Sequence, residues 1–167
     1  MNLDRKAYKD LLAWKNNSKG RTALLISGAR RVGKSYLARR FGEHEYKSYI
    51  LIDFSLISPD TIEVFETDQS NLDIFFTKIS LLYSTRLYVR ESLIIFDEIQ
   101  LYPKARQFIK HLVADGRYDY IETGSLLSIK QNIKDILIPS EEEEIELSPL
   151  DFEEFLWGLG DKDSMPL

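Results

Sequence analysis

The sequence contains no cysteine and only two histidines, His44 and His111. A disulfide framework and a thiolate metal site are therefore excluded, and the two imidazoles have no partner spacing for zinc. No apolar run approaches the ~20 residues that span a bilayer. The amphipathic start is not a signal peptide either, so the expectation is a cytoplasmic protein with no membrane segment. At 167 residues the chain has the length of one domain, long enough to bury roughly 70% of the surface its unfolded form exposes. A hydrophobic content of 44% and a charged content of 29% are those of a soluble globular protein.

Acidic residues are scarce in the first quarter. Residues 1–47 hold twelve Lys or Arg against four Asp or Glu, and the remainder holds ten against twenty-three. The two parts thus carry +8 and −13. Such a basic stretch suits a polyanion, either nucleic acid or the polyphosphate of a nucleotide. A solvated helix followed by a phosphate loop accounts for it without nucleic acid, and the acidic remainder argues against a domain that wraps DNA.

Leu3, Ala7, Tyr8, Leu11 and Leu12 recur at helical spacing and predict an opening helix, ended by the polar turn Asn16 to Gly20. Thr22 to Ser27 reads as a buried parallel strand, Ser35 to Phe41 as a helix closed by Gly42, and Tyr49 to Phe54 as a second strand. Residues 55–70 read as an acidic loop with one helical turn near Ile62 to Phe65. A helix stripe from Leu72 to Tyr83, a strand at Ser92 to Phe96 and a helix from Pro103 to Asp115-Gly116 follow. Strands at Tyr118 to Glu122 and Glu142 to Leu147 come next, and Ser148-Pro149 opens a last helix running to about Trp157. The alternation predicts an α/β fold with a five-stranded parallel sheet and helices on both faces. One domain, 1–167, is expected. It comprises a helix and turn (1–20), a nucleotide-binding core (21–147) and a C-terminal helix and tail (148–167).

Gly28-Ala29-Arg30-Arg31-Val32-Gly33-Lys34-Ser35 satisfies G-x-x-x-x-G-K-[ST] between a predicted strand and a predicted helix. Glycines let the backbone turn tightly enough to aim successive N–H groups at phosphate oxygens, and the helix that follows, with Tyr36 in its first turn, adds partial positive charge. Lys34 is placed to reach the β- and γ-phosphates of ATP or ADP, and Ser35 to ligate Mg²⁺. Leu93-Ile94-Ile95-Phe96-Asp97-Glu98 is the matching apolar strand. Its end delivers Asp97 towards the metal, and Glu98 can polarise a water for attack on the γ-phosphate.

A glutamate directly after the metal-binding aspartate resembles the division of P-loop NTPases with a strand-borne glutamate, which includes AAA-type ATPases. That division inserts a strand between the P-loop strand and the Asp-Glu strand. Here the strand would be Tyr118 to Glu122, which leaves Thr123, then Ser125, to sense the γ-phosphate or hold the attacking water. The set GARRVGKS, IIFDEIQ, ETGS and IELSPLDFEEFL resembles bacterial and archaeal AAA-type ATPases whose longer members carry a C-terminal nuclease-like domain. The resemblance implies ATP binding by Gly28 to Ser35, Mg²⁺ at Ser35 and Asp97, a catalytic Glu98, and a further C-terminal domain as partner. Arg31 departs from the glutamine of many relatives. No arginine follows Arg117, although relatives often place one before the last strand, where this chain has only Lys130 and Lys134. An arginine finger is worth ~10³ to 10⁵ in rate, so slow hydrolysis by the isolated monomer is expected unless Arg106 or Arg117 of a neighbouring subunit supplies one.

Asn132-Ile133-Lys134-Asp135 has the wrong order for a guanine-selecting motif. Glu141 to Glu144 reads as the solvated approach to a strand, and Tyr8 and Trp14 as packing of the first helix. Three functions stay open at this point. An ATPase module coupling nucleotide state to a further domain leads. A non-hydrolysing nucleotide switch and a small-molecule kinase follow, the kinase weakened by the lack of arginine in residues 126–140.

Overall fold

A computed structural model describes residues 6–29, 32–125 and 141–148. Five parallel strands form one sheet: β1 (Ala23–Gly28), β2 (Ser48–Asp53), β3 (Ser92–Asp97), β4 (Asp119–Ser125) and β5 (Glu142–Leu147). Their spatial order is β2-β3-β4-β1-β5, so β4 lies between the P-loop strand and the Asp-Glu strand, as expected. β1, β3 and most of β4 are buried along their whole length. That is why they read as continuous apolar runs rather than alternating ones.

Side-chain alternation divides the interior in two. Leu24, Ile26, Leu93, Ile95 and Ile121 face helices α1 (Ala7–Ser18) and α2 (Lys34–Glu45). Leu25, Ile50, Ile52, Ile94 and Phe96 face α3 (Pro59–Thr67), α4 (Leu72–Leu82) and α5 (Pro103–Asp115). On the second face Phe65 meets Phe75, Phe96 and Phe108 edge-on, with centroids 5.2, 6.1 and 6.4 Å away. Each such pair adds about 0.5–1.5 kcal/mol beyond burial.

Three element predictions are corrected. α2 does not stop at Gly42 but runs on to Glu45. A Cβ at Gly42 would lie 2.9 Å from the Tyr49 ring, so this glycine permits close helix–strand packing instead of ending the helix. Residues 59–67 form a full helix, not a loop with one turn. Its start is set by Pro59 at the first position and by Ser58, whose hydroxyl accepts the Thr61 N–H at 3.2 Å. β4 begins one residue later than expected and extends to Ser125, which places Thr123 within the strand. The expected helix from Ser148 to Trp157 lies outside the described residues, apart from Ser148 itself.

Candidate functional site

The carboxyl ends of β1, β3 and β4 meet at the N-terminus of α2. Gly28 closes β1 at φ +151°, and a Cβ there would sit 2.4 Å from the carbonyl oxygen of Leu147 on β5. Only glycine lets the loop leave the sheet so close to its neighbour. Gly33, at φ +95°, turns the chain into α2. The N-cap position of α2 is Gly33, and the first turn of the helix holds no acidic residue, so no carboxylate there opposes an anion at the helix N-terminus. Arg30 and Arg31 lie outside the described residues. Ala29 is exposed, Val32 is buried, and Tyr36 is 40% exposed on the first turn of the helix.

Lys34 is buried, and its ammonium donates to the carbonyls of Gly28 at 3.2 Å and Ala29 at 2.7 Å. The side chain thus folds back over its own loop. Beside it, Ser35 Oγ donates to Asp97 Oδ1 at 2.6 Å. Thr123 Oγ1 donates to the same oxygen at 2.6 Å and accepts the Glu98 N–H at 3.0 Å. Glu98 leaves β3 in the left-handed conformation, φ 57° and ψ 48°, which non-glycine residues seldom adopt. Its carboxylate accepts a hydrogen bond from Gln100 Nε2 at 2.5 Å. The chain Ser35–Asp97–Thr123–Glu98–Gln100 therefore links the loop to both acids.

The donor set suits the expected ligands. A hydroxyl and a carboxylate oxygen in contact are hard donors matched to Mg²⁺, which takes one or two protein ligands and completes its shell with water and phosphate. Among the described residues no group of three or more His, Cys, Asp or Glu could hold a metal by itself. A buried ammonium at the N-terminus of a helix is chemistry suited to a polyphosphate.

Of the two arginines named as a possible finger, Arg106 is buried and Arg117 half-buried. Arg106 is 2% exposed and bonded to Glu142 at 2.8 Å. Arg117 is tied to Asp115 at 3.1 Å and to Asp73 at 2.7 Å.

Two features escaped the sequence reading. Gln100 was visible only as part of a motif, with no sign that it turns back on Glu98. On the α5 side of the sheet, Arg106, Glu122 and Glu142 form a buried cluster drawn from α5, β4 and β5. Glu122 is fully buried, and neither of its oxygens accepts a hydrogen bond. Burial, followed by the charge of Glu142, pushes this carboxyl well above the usual range against the pull of Arg106.

A parallel sheet in this order, with a glycine-framed loop between β1 and α2, is that of a P-loop NTPase-like domain. A family model described as "AAA domain" matches residues 20–156, and the chain belongs to that family. No curated protein matches the chain. Among solved structures it is similar to a crystal structure of the Pyrococcus furiosus Hef helicase domain, at 16% identity and a TM-score of 0.41. That match covers 87% of this chain and 40% of the other. Nothing about function follows from a likeness that distant. No helix among the described residues is long and apolar enough to cross a membrane.

Proposed function

We propose that this domain binds ATP with Mg²⁺ and hydrolyses it, coupling nucleotide state to a further domain or partner. Membership of the AAA family supports nucleotide binding. The observation that carries the hydrolytic reading is the convergence of the Ser35 and Thr123 hydroxyls on one oxygen of Asp97, with Glu98 held alongside.

In this reading the loop amides and Lys34 hold the phosphates, and Lys34 exchanges its two carbonyl partners for phosphate oxygens. Ser35 and Asp97 hold the cation. A cation held there would supply positive charge that offsets the negative charge developing on the phosphates. Glu98 orients the attacking water and accepts its proton. Thr123 keeps both acids in place. Arg106 is buried against Glu142 and no arginine follows Arg117, which favours slow turnover by a single copy, so a non-hydrolysing nucleotide switch is the second reading.

Nucleotide titration with and without Mg²⁺, on wild type and Lys34→Ala, tests binding. Phosphate release by wild type and Glu98→Gln tests hydrolysis. Binding lost in Lys34→Ala and turnover lost in Glu98→Gln with binding retained are the expected results. Turnover unchanged in Glu98→Gln defeats the assignment of the base.

A further inference from the structure

Glu98 sits at an unusual bend. Its left-handed backbone is one that a residue with a side chain seldom adopts, and the bend ends β3 abruptly. A single 3₁₀ turn, Ile99–Leu101, follows. Ile99 is fully buried and anchors the turn in the core, so Gln100 emerges at a fixed place. From there its amide reaches back two residues to the Glu98 carboxylate at 2.5 Å. An ionised carboxylate only accepts hydrogen bonds, so the NH₂ group must face it. Glu98 is therefore gripped twice, at its backbone N–H by Thr123 and at its side chain by Gln100.

A glutamate at the edge of a cleft otherwise explores several rotamers, few of which aim an oxygen at the reacting water. An amide donor suits the task of restraining it. It is neutral, so it leaves the carboxylate its charge, and it cannot compete for the proton. We propose that Gln100 is a positioning residue that holds the Glu98 carboxylate in its working orientation, so that turnover depends on Gln100 while nucleotide affinity does not. This rests on the ATPase reading.

The test compares wild type, Glu98→Gln, Glu98→Ala, Gln100→Met (similar length, no donor) and Gln100→Glu (same shape, no amide donor). ATP turnover, ATP affinity and the urea midpoint are measured for each. The side-chain amide signal of Gln100 is followed by NMR in the nucleotide-free protein. kcat falls about tenfold to hundredfold in Gln100→Met, as expected when a reacting group is misplaced, and further in Gln100→Glu. Affinity and urea midpoint stay close to wild type. The Gln100 amide signal moves in Glu98→Ala, because the carboxylate it touches is gone.

Full turnover in Gln100→Met, with Glu98→Gln inactive, overturns the role of Gln100 and leaves the ATPase reading standing. An amide signal indifferent to Glu98→Ala overturns it too, as does a parallel loss of affinity and folding stability. A wild type that binds ATP and never turns it over ends both readings together.

Discussion

The hydroxyl of Thr123 donates to Asp97 Oδ1 at 2.6 Å and accepts the backbone N–H of Glu98 at 3.0 Å. One side chain of β4 therefore braces both acids of β3. The residue is fully buried, and its single hydroxyl hydrogen is engaged. Donation to a γ-phosphate would require that hydrogen to leave Asp97.

Thr123→Val keeps the shape and removes both bonds. The Glu98 N–H is left without that partner, while Asp97 Oδ1 keeps the Ser35 hydroxyl. The expected loss of stability is about 1–3 kcal/mol in urea unfolding, with slower turnover, and Thr123→Ser restores most of both. A Thr123→Val protein as stable and active as wild type removes the brace from the mechanism.

Much of this architecture was legible because its signals are local. The P-loop needs its two glycines, lysine and serine in one stretch, and β3 announces itself by four apolar residues before Asp97. Where one residue type serves two purposes, the reading went astray. Gly42 has a helix-stopping composition but serves close packing against Tyr49. α3 was hidden because Asp60, Glu63 and Glu66 give it the look of a loop, while only Thr61, Val64 and Phe65 are buried. The Arg106 cluster had no local signal at all, since its members come from three elements brought together only by the fold.

Gly28→Ala tests the loop without touching a polar side chain. The new methyl meets a backbone carbonyl, that of Leu147, at 2.4 Å, and a backbone atom cannot step aside like a side-chain tip. Its φ of +151° adds strain, about 1–3 kcal/mol for such conformations. The variant is expected to lose at least that much stability, read as a lower urea midpoint, and to bind ATP more weakly because β5 or the loop must move. Unchanged stability and affinity in Gly28→Ala contradict the contact with β5.

Arg106→Met leaves Glu142 buried beside Glu122 with its counter-charge removed. Breaking one side of a buried ion pair typically costs about 3–5 kcal/mol, whereas replacing both partners by apolar groups often costs little. Accordingly Arg106→Met is strongly destabilised, and the double variant Arg106→Met/Glu142→Leu recovers a large part of the loss. A full double-mutant cycle in urea measures the coupling. Additive losses in that cycle contradict a paired arrangement.

Glu122→Gln probes the remaining acid of that cluster. Burial first, then Glu142, raise the folded-state pKa of Glu122, with Arg106 opposing. The charged groups acting on Glu122 are Glu142 on β5 and Arg106 on α5; Arg106 is in turn influenced by Glu144 on β5, which accepts from Ser27 on β1 at 2.8 Å. A carboxyl that stays protonated in the fold while it ionises in the unfolded chain makes folding take up a proton. Its favourable contribution is complete below the unfolded pKa and is lost as pH rises through the folded pKa. Glutamine mimics the protonated form and has no such loss. The urea midpoint of wild type should therefore fall relative to Glu122→Gln as pH rises above the ordinary glutamate range, and level off once Glu122 ionises in the fold. If Glu122 instead works as an ionised partner of Arg106, the variant is the less stable protein across neutral pH, with no gain as pH rises. The sign of that difference decides which protonation state β4 carries one residue from the site.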